Sequence, residues 1–157
     1  MTSESTRRQI NHKVMRLIVG AIALLLSPVV WVLSGSEYAL TSISISYWTD
    51  SRDVFVGALM AIGFFLSAYN GAADRRDLEF WLSKAACVFA ICVALFPAEG
   101  FTDMDIPAGW VLAVTGSVGL LPESVHRGAA VLLFACLIGL IFFFYRRALS
   151  KGRLDPK

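Results

Sequence analysis

The chain has 157 residues, 57% hydrophobic and only 17% charged, with a net charge of +2. Soluble domains carry about a quarter charged residues, so this composition excludes an ordinary water-facing surface and points to lipid as the solvent. The length allows one domain.

Residues 1–13 form a polar tail rich in Arg and Ser. The first apolar run, 14–33, is long enough to span a hydrocarbon core of about 30 Å, with Pro28 inside it. It has the basic flank of a signal peptide, but its core runs long and lacks an A-x-A site before Ser34–Ser36, so it is read as a retained span. Next comes "SISISYWTDSRDVFVG", Ser42 to Gly57. Its hydroxyls alternate with Ile, the period of a strand, and predict a short extended segment over the mouth of a second span, 54–70. Asp53 is placed to cap that span. A third span covers 78–96 and stops at Pro97. Residues 107–121 are too short and too interrupted, by Thr115-Gly116-Ser117, to cross, and read as an interfacial or re-entrant segment. The fourth span is 126–145, and residues 146–157 are a second polar tail. The expected fold is all-α, an integral membrane four-helix bundle.

Charge sets the orientation. Arg7, Arg8, Lys13, Arg16, Arg75, Arg76, Lys84, Arg146, Arg147, Lys151, Arg153 and Lys157 fall on one side, twelve of the 14 basic residues. Basic flanks stay in the cytoplasm, so both termini are expected there. The other side carries Glu37, Asp50, Asp53, Glu99, Asp103, Asp105 and Glu123 against Arg52 and Arg127. Trp31, Trp48, Trp81 and Trp110 fall near span ends, as an interfacial belt requires. Helices in lipid associate through small residues. Ala86, Ala90 and Ala94, then Gly57 and Ala61, Gly63, Ser67 and Gly71, and Ala135 and Gly139, mark candidate seams within the chain or between copies.

The outer mouth is the candidate site. Tyr47, Arg52, Asp53, Glu123 and His126, with the serines of 42–46, are expected to meet there, either as a structural clasp in which His126 donates to a loop carbonyl, or as a site that binds a lipid head group, a small molecule or a partner. Arg52 is expected to pair with Asp50 or Glu123. A second reading makes His126 and Asp53 the acid–base pair of an enzyme acting at the outer leaflet, with a serine or water as nucleophile. Other chemistry is excluded. Cys87, Cys92 and Cys136 lie in apolar runs without CxxC, so no thiol–disulfide centre is expected. One histidine near a span is too few for a zinc or paired-histidine haem site, so no metal or cofactor is expected. Phosphate-loop and nucleophile-elbow motifs do not occur, and nothing suggests nucleic-acid binding. Every Asp and Glu is read as lying in a loop or at a helix end, which argues against a buried proton relay.

The stretch "SISISYWTDSRDVFVGALMAIGFFLSAYNG", with "ALFP" and the later His126, resembles a family of small uncharacterised bacterial multi-pass inner-membrane proteins with an S-I-S-x-x-Y…R-D-x-F-V-G signature. The resemblance covers 42–97 and the helix opening at His126. It implies a bacterial inner-membrane helical bundle and brings no activity with it. Members tend to carry Tyr-Tyr and "ALFPT", where this chain has Tyr47-Trp48 and "ALFPA" ending at Ala98, so a catalytic role for that threonine does not transfer.

Overall fold

The computed structural model describes residues 12–35, 42–69, 76–99 and 109–150. The outer acids Glu37, Asp103 and Asp105, most of both polar tails, and Gly71 and Arg75 lie outside them. The described residues form helices only: α1 His12–Leu33, a three-ten helix η1 Ile43–Trp48, α2 Arg52–Ser67, α3 Arg76–Leu95, α4 Gly109–Ser117 and α5 Pro122–Ser150.

Local chemistry explains the boundaries. α3 stops at Leu95 because Pro97 has no N–H to donate and disfavours a helical residue before it. α5 opens on Pro122, whose missing N–H costs nothing at a first helical position. Glu123 in its first turn and Arg147 in its last complement the helix dipole. Gly35 and Gly119 take left-handed φ of 73° and 66° just past the ends of α1 and α4, a conformation glycine adopts without steric cost.

Two expectations need correction here. Ser42–Ser46 is no extended segment. With no strand beside it, the alternating stretch closes its own hydrogen bonds as η1, Ser42 capping it by accepting from the Ser44 amide at 3.4 Å. The residue before α2 is Ser51, and Asp53 sits exposed inside the first turn rather than at the cap.

α3 is the centre of the packing. It lies between α2 and α5, α1 packs on α2 and η1, and α4 touches α5. Ala86, Ala90 and Ala94 are all fully buried. A Cβ added to Gly63 would lie 3.4 Å from the Ala90 Cβ, and one added to Gly139 would lie 3.2 Å from Leu82. These are close α2–α3 and α3–α5 contacts of the kind small residues permit. Gly57 faces open space and Ala135 is exposed, so those two positions are not close contacts within the chain.

Among the described residues, two helices are long and apolar enough to cross a bilayer, Leu78–Leu95 and Pro122–Ser150. The apolar part of α1, Leu17–Leu33, and the 16-residue α2, about 24 Å long at 1.5 Å per residue, are shorter. α4, with nine residues, is only about 14 Å long. Its Thr115 is satisfied locally, donating to the Val111 carbonyl at 2.8 Å. α5 leaves Val131, Phe134, Ile138, Ile141 and Phe142 exposed along its length.

Gly63→Leu and Ala90→Leu are expected to lower thermal stability in detergent sharply, at an overpacking cost of about 1–3 kcal/mol or more. Gly57→Leu, facing open space, should leave the melting temperature within a degree or so of the parent.

Candidate functional site

The mouth is built on the end of α3. An α-helix leaves its last carbonyls without intrahelical donors. Tyr47 Oη donates to the Leu95 carbonyl at 3.2 Å, a His126 ring nitrogen lies 2.8 Å from the Phe96 carbonyl, and Trp48 Nε1 donates to the Ala98 carbonyl at 3.0 Å. Three side chains thus replace the missing turn. Two come from η1 and one from the start of α5.

The His126 tautomer follows from its partners. The Phe96 carbonyl can only accept, so Nδ1 carries the proton. Nε2 of the neutral ring then accepts from Ser44 Oγ at 3.1 Å. The imidazole is 3% exposed, with both nitrogens engaged. Arg52 donates to the Tyr47 hydroxyl at 3.2 Å, and its guanidinium carbon lies 4.5 Å from the ring centroid, a cation–π contact.

Among the candidate residues, the structure joins Tyr47 directly to Arg52, and sets Tyr47 and His126 on consecutive carbonyls of α3. The others fall elsewhere. His126 has no ring nitrogen left for Asp53, which removes the expected His126–Asp53 pair. Among the described residues Arg52 meets an aromatic ring and a hydroxyl, not Asp50 or Glu123. Glu123 pairs with Arg127 one helical turn away at 3.9 Å, and Arg127 reaches Glu99 at 3.2 Å. Both ion pairs are largely exposed and contribute little.

No protein-family model, curated protein or solved structure matches the chain. Geometry alone therefore assigns the roles.

A second polar cluster, at the other end of α3, went unread in the sequence. Glu79 does lie in a first helical turn, but it is fully buried. Tyr69 Oη donates to its Oε2 at 2.6 Å, and Arg147, from the last turn of α5, pairs with its Oε1. Lys84 donates to the carbonyls of Ser67 and Tyr69, capping α2. Ser83 Oγ lies 2.9 Å from the Tyr69 carbonyl. The signal was available: Glu79 and Lys84 are ionisable residues inside an apolar run, and such residues demand partners. At the mouth, the contact of His126 with one of the serines was expected, and Ser44 is that serine.

Single substitutions His126→Gln and Tyr47→Phe are expected to lower thermal stability, with the double mutant less than additive because both secure one helix end. Arg147→Leu should cost about 3 kcal/mol by leaving Glu79 buried and unpaired, and Glu79→Leu in the same chain should restore most of it. Melting curves of the parent and these five variants in detergent test this.

Proposed function

We propose that this chain is a multi-pass bacterial inner-membrane protein with four spans, both termini cytoplasmic, and a non-enzymatic role as a binding or accessory subunit. The family resemblance in Ser42–Pro97 belongs to this proposal. The observation that carries it is the division of labour across the surface. The polar groups of the mouth are consumed in closing it, while α5 turns a continuous apolar face outward. Val131, Phe134 and Ile138 on that face are each more than 60% exposed. Such a face suits acyl chains or another membrane helix. At the mouth, half-buried Arg52, exposed Asp53 and the exposed Arg127–Glu99 pair are the charges open to a lipid head group, a small molecule or a partner.

Cysteine labelling in intact cells tests the topology. Positions 70 and 146 should react only after permeabilisation, and positions 37 and 103 should react from outside. A C-terminus labelled from outside overturns the four-span reading. Purification in mild detergent, with co-purifying proteins and lipids identified by mass spectrometry, tests the accessory role.

One observation favours a second reading, an acyl-transfer enzyme. Ser44 Oγ, His126 and the Phe96 carbonyl stand in the order nucleophile, base and orienting acceptor. His126 would take the Ser44 proton as Oγ attacks an ester carbonyl, and return it to the departing alcohol. The groove lined by Ser27, Pro28, Val30, Trp31 and Ile43 opens on a different face of η1 from Ser44, which favours the non-enzymatic reading. Fluorophosphonate labelling of native membranes decides between them. A Ser44 adduct lost in His126→Gln establishes the enzyme, and an unlabelled Ser44 removes it.

A further inference from the structure

We propose that the hydroxyl cluster between the end of α1 and η1 binds a dehydrated monovalent cation, Na+ by donor type. The cluster is separate from the His126 side of the mouth. Ser34, Thr49 and Ser51 form a triangle of oxygens, with Ser34–Thr49 at 3.1 Å, Ser34–Ser51 at 2.7 Å and Thr49–Ser51 at 2.7 Å. Ser34 Oγ also lies 2.8 Å from the Val30 carbonyl, and Thr49 Oγ1 lies 3.1 Å from the Ser46 carbonyl.

Counting protons exposes an excess of oxygen. The five contacts share three hydroxyl hydrogens, and a hydroxyl donates one. Two contacts therefore bring lone pair against lone pair at any moment. The backbone does not need those hydrogens. The Val30 carbonyl already accepts the Ser34 amide at 2.9 Å, and the Ser46 carbonyl accepts the Thr49 amide at 3.2 Å. A small cation relieves this excess, and another hydrogen-bond acceptor does not.

A fourth hydroxyl supplies independent evidence. Ser46 is fully buried, and among the described residues its Oγ has no hydrogen-bond partner. Side chains three apart eclipse in a three-ten helix. Ile43, one turn before, lines the groove against Ser27, Pro28, Val30 and Trp31 of α1, and Thr49, one turn after, meets Ser34. The three-ten period thus sets Ser46 on the side of η1 that carries Ile43. A buried hydroxyl without a partner is costly.

The donor set selects the ion. Calcium and magnesium sites rely on carboxylates or retained water, and among the described residues this cluster offers neutral hydroxyls and carbonyls only. Those donors, at the negative end of a helix, are the means by which membrane proteins hold Na+. The nearest basic side chain in sequence, Arg52, is drawn away onto the Tyr47 ring.

The test uses the full chain purified in mild detergent. Thermal unfolding is measured in NaCl and in choline chloride at equal ionic strength, with the 23Na NMR linewidth recorded in parallel. The expected result is a saturable rise in Tm, roughly 3 °C once Na+ is several-fold above its dissociation constant, together with 23Na broadening. Thr49→Val and Ser51→Ala should abolish the Na+-dependent increment whatever their baseline Tm. Thr49→Ser, which keeps the oxygen, should retain it, as should Ser117→Ala on exposed α4. Equal Tm and linewidth for the parent chain in the two salts overturn the proposal, and so does an increment that survives in Thr49→Val.

Discussion

The carbonyls of Leu95 and Phe96 set the terms for the whole mouth. Pro97 ends α3 and is itself buried, so no further helical turn can supply donors there. In an apolar setting each unpaired carbonyl is expensive. Tyr47 and His126 meet that demand from two directions, and in doing so fix η1 and the start of α5 against the end of α3. Arg52 then follows from Tyr47, since its hydroxyl and ring hold the guanidinium. Ser44 follows from His126, since the remaining ring nitrogen needs a donor.

The opposite end of α3 answers the same problem with charge. α2 ends where α3 begins, so carbonyls of one helix lie beside the amides of the next. Lys84 neutralises the first and Glu79 complements the second. Arg147 closes the α5 end onto Glu79. Two helix ends and the start of a third are thus tied by five side chains, Tyr69, Glu79, Ser83, Lys84 and Arg147. Between the two polar ends the contacts are almost purely steric, Gly63 on Ala90 and Gly139 on Leu82.

The sequence revealed the helices better than the partners. Composition and apolar run length pointed to an all-helical chain, and the Ala86–Ala90–Ala94 spacing identified the buried ridge of α3. Those signals are periodic and local. Tyr47, Arg52 and His126 were legible as polar residues at helix entrances. The carbonyls they bond were not, because backbone acceptors carry no letter in a sequence. Asp53 and Glu123 were drawn into the same cluster by proximity along the chain, and the structure leaves Asp53 exposed and gives Glu123 to Arg127. Glu79 escaped notice because a position near a helix end does not reveal burial.

The hydroxyl alternation of Ser42–Ser46 shows how a period can mislead. Residues two apart share a face in a strand and part company in a three-ten helix. As a strand, Ser44 and Ser46 would both have pointed one way, giving a single polar lining. As η1, Ser44 and Tyr47 turn toward α3 and α5, Ser46 falls on the side that carries Ile43, which meets α1, and Trp48 reaches the Ala98 carbonyl from the remaining side. Six residues therefore engage three separate partners, which a strand of that length, with two faces, cannot do. The cost of this economy is Ser46, whose hydroxyl is carried into a buried position with no hydrogen-bond partner among the described residues.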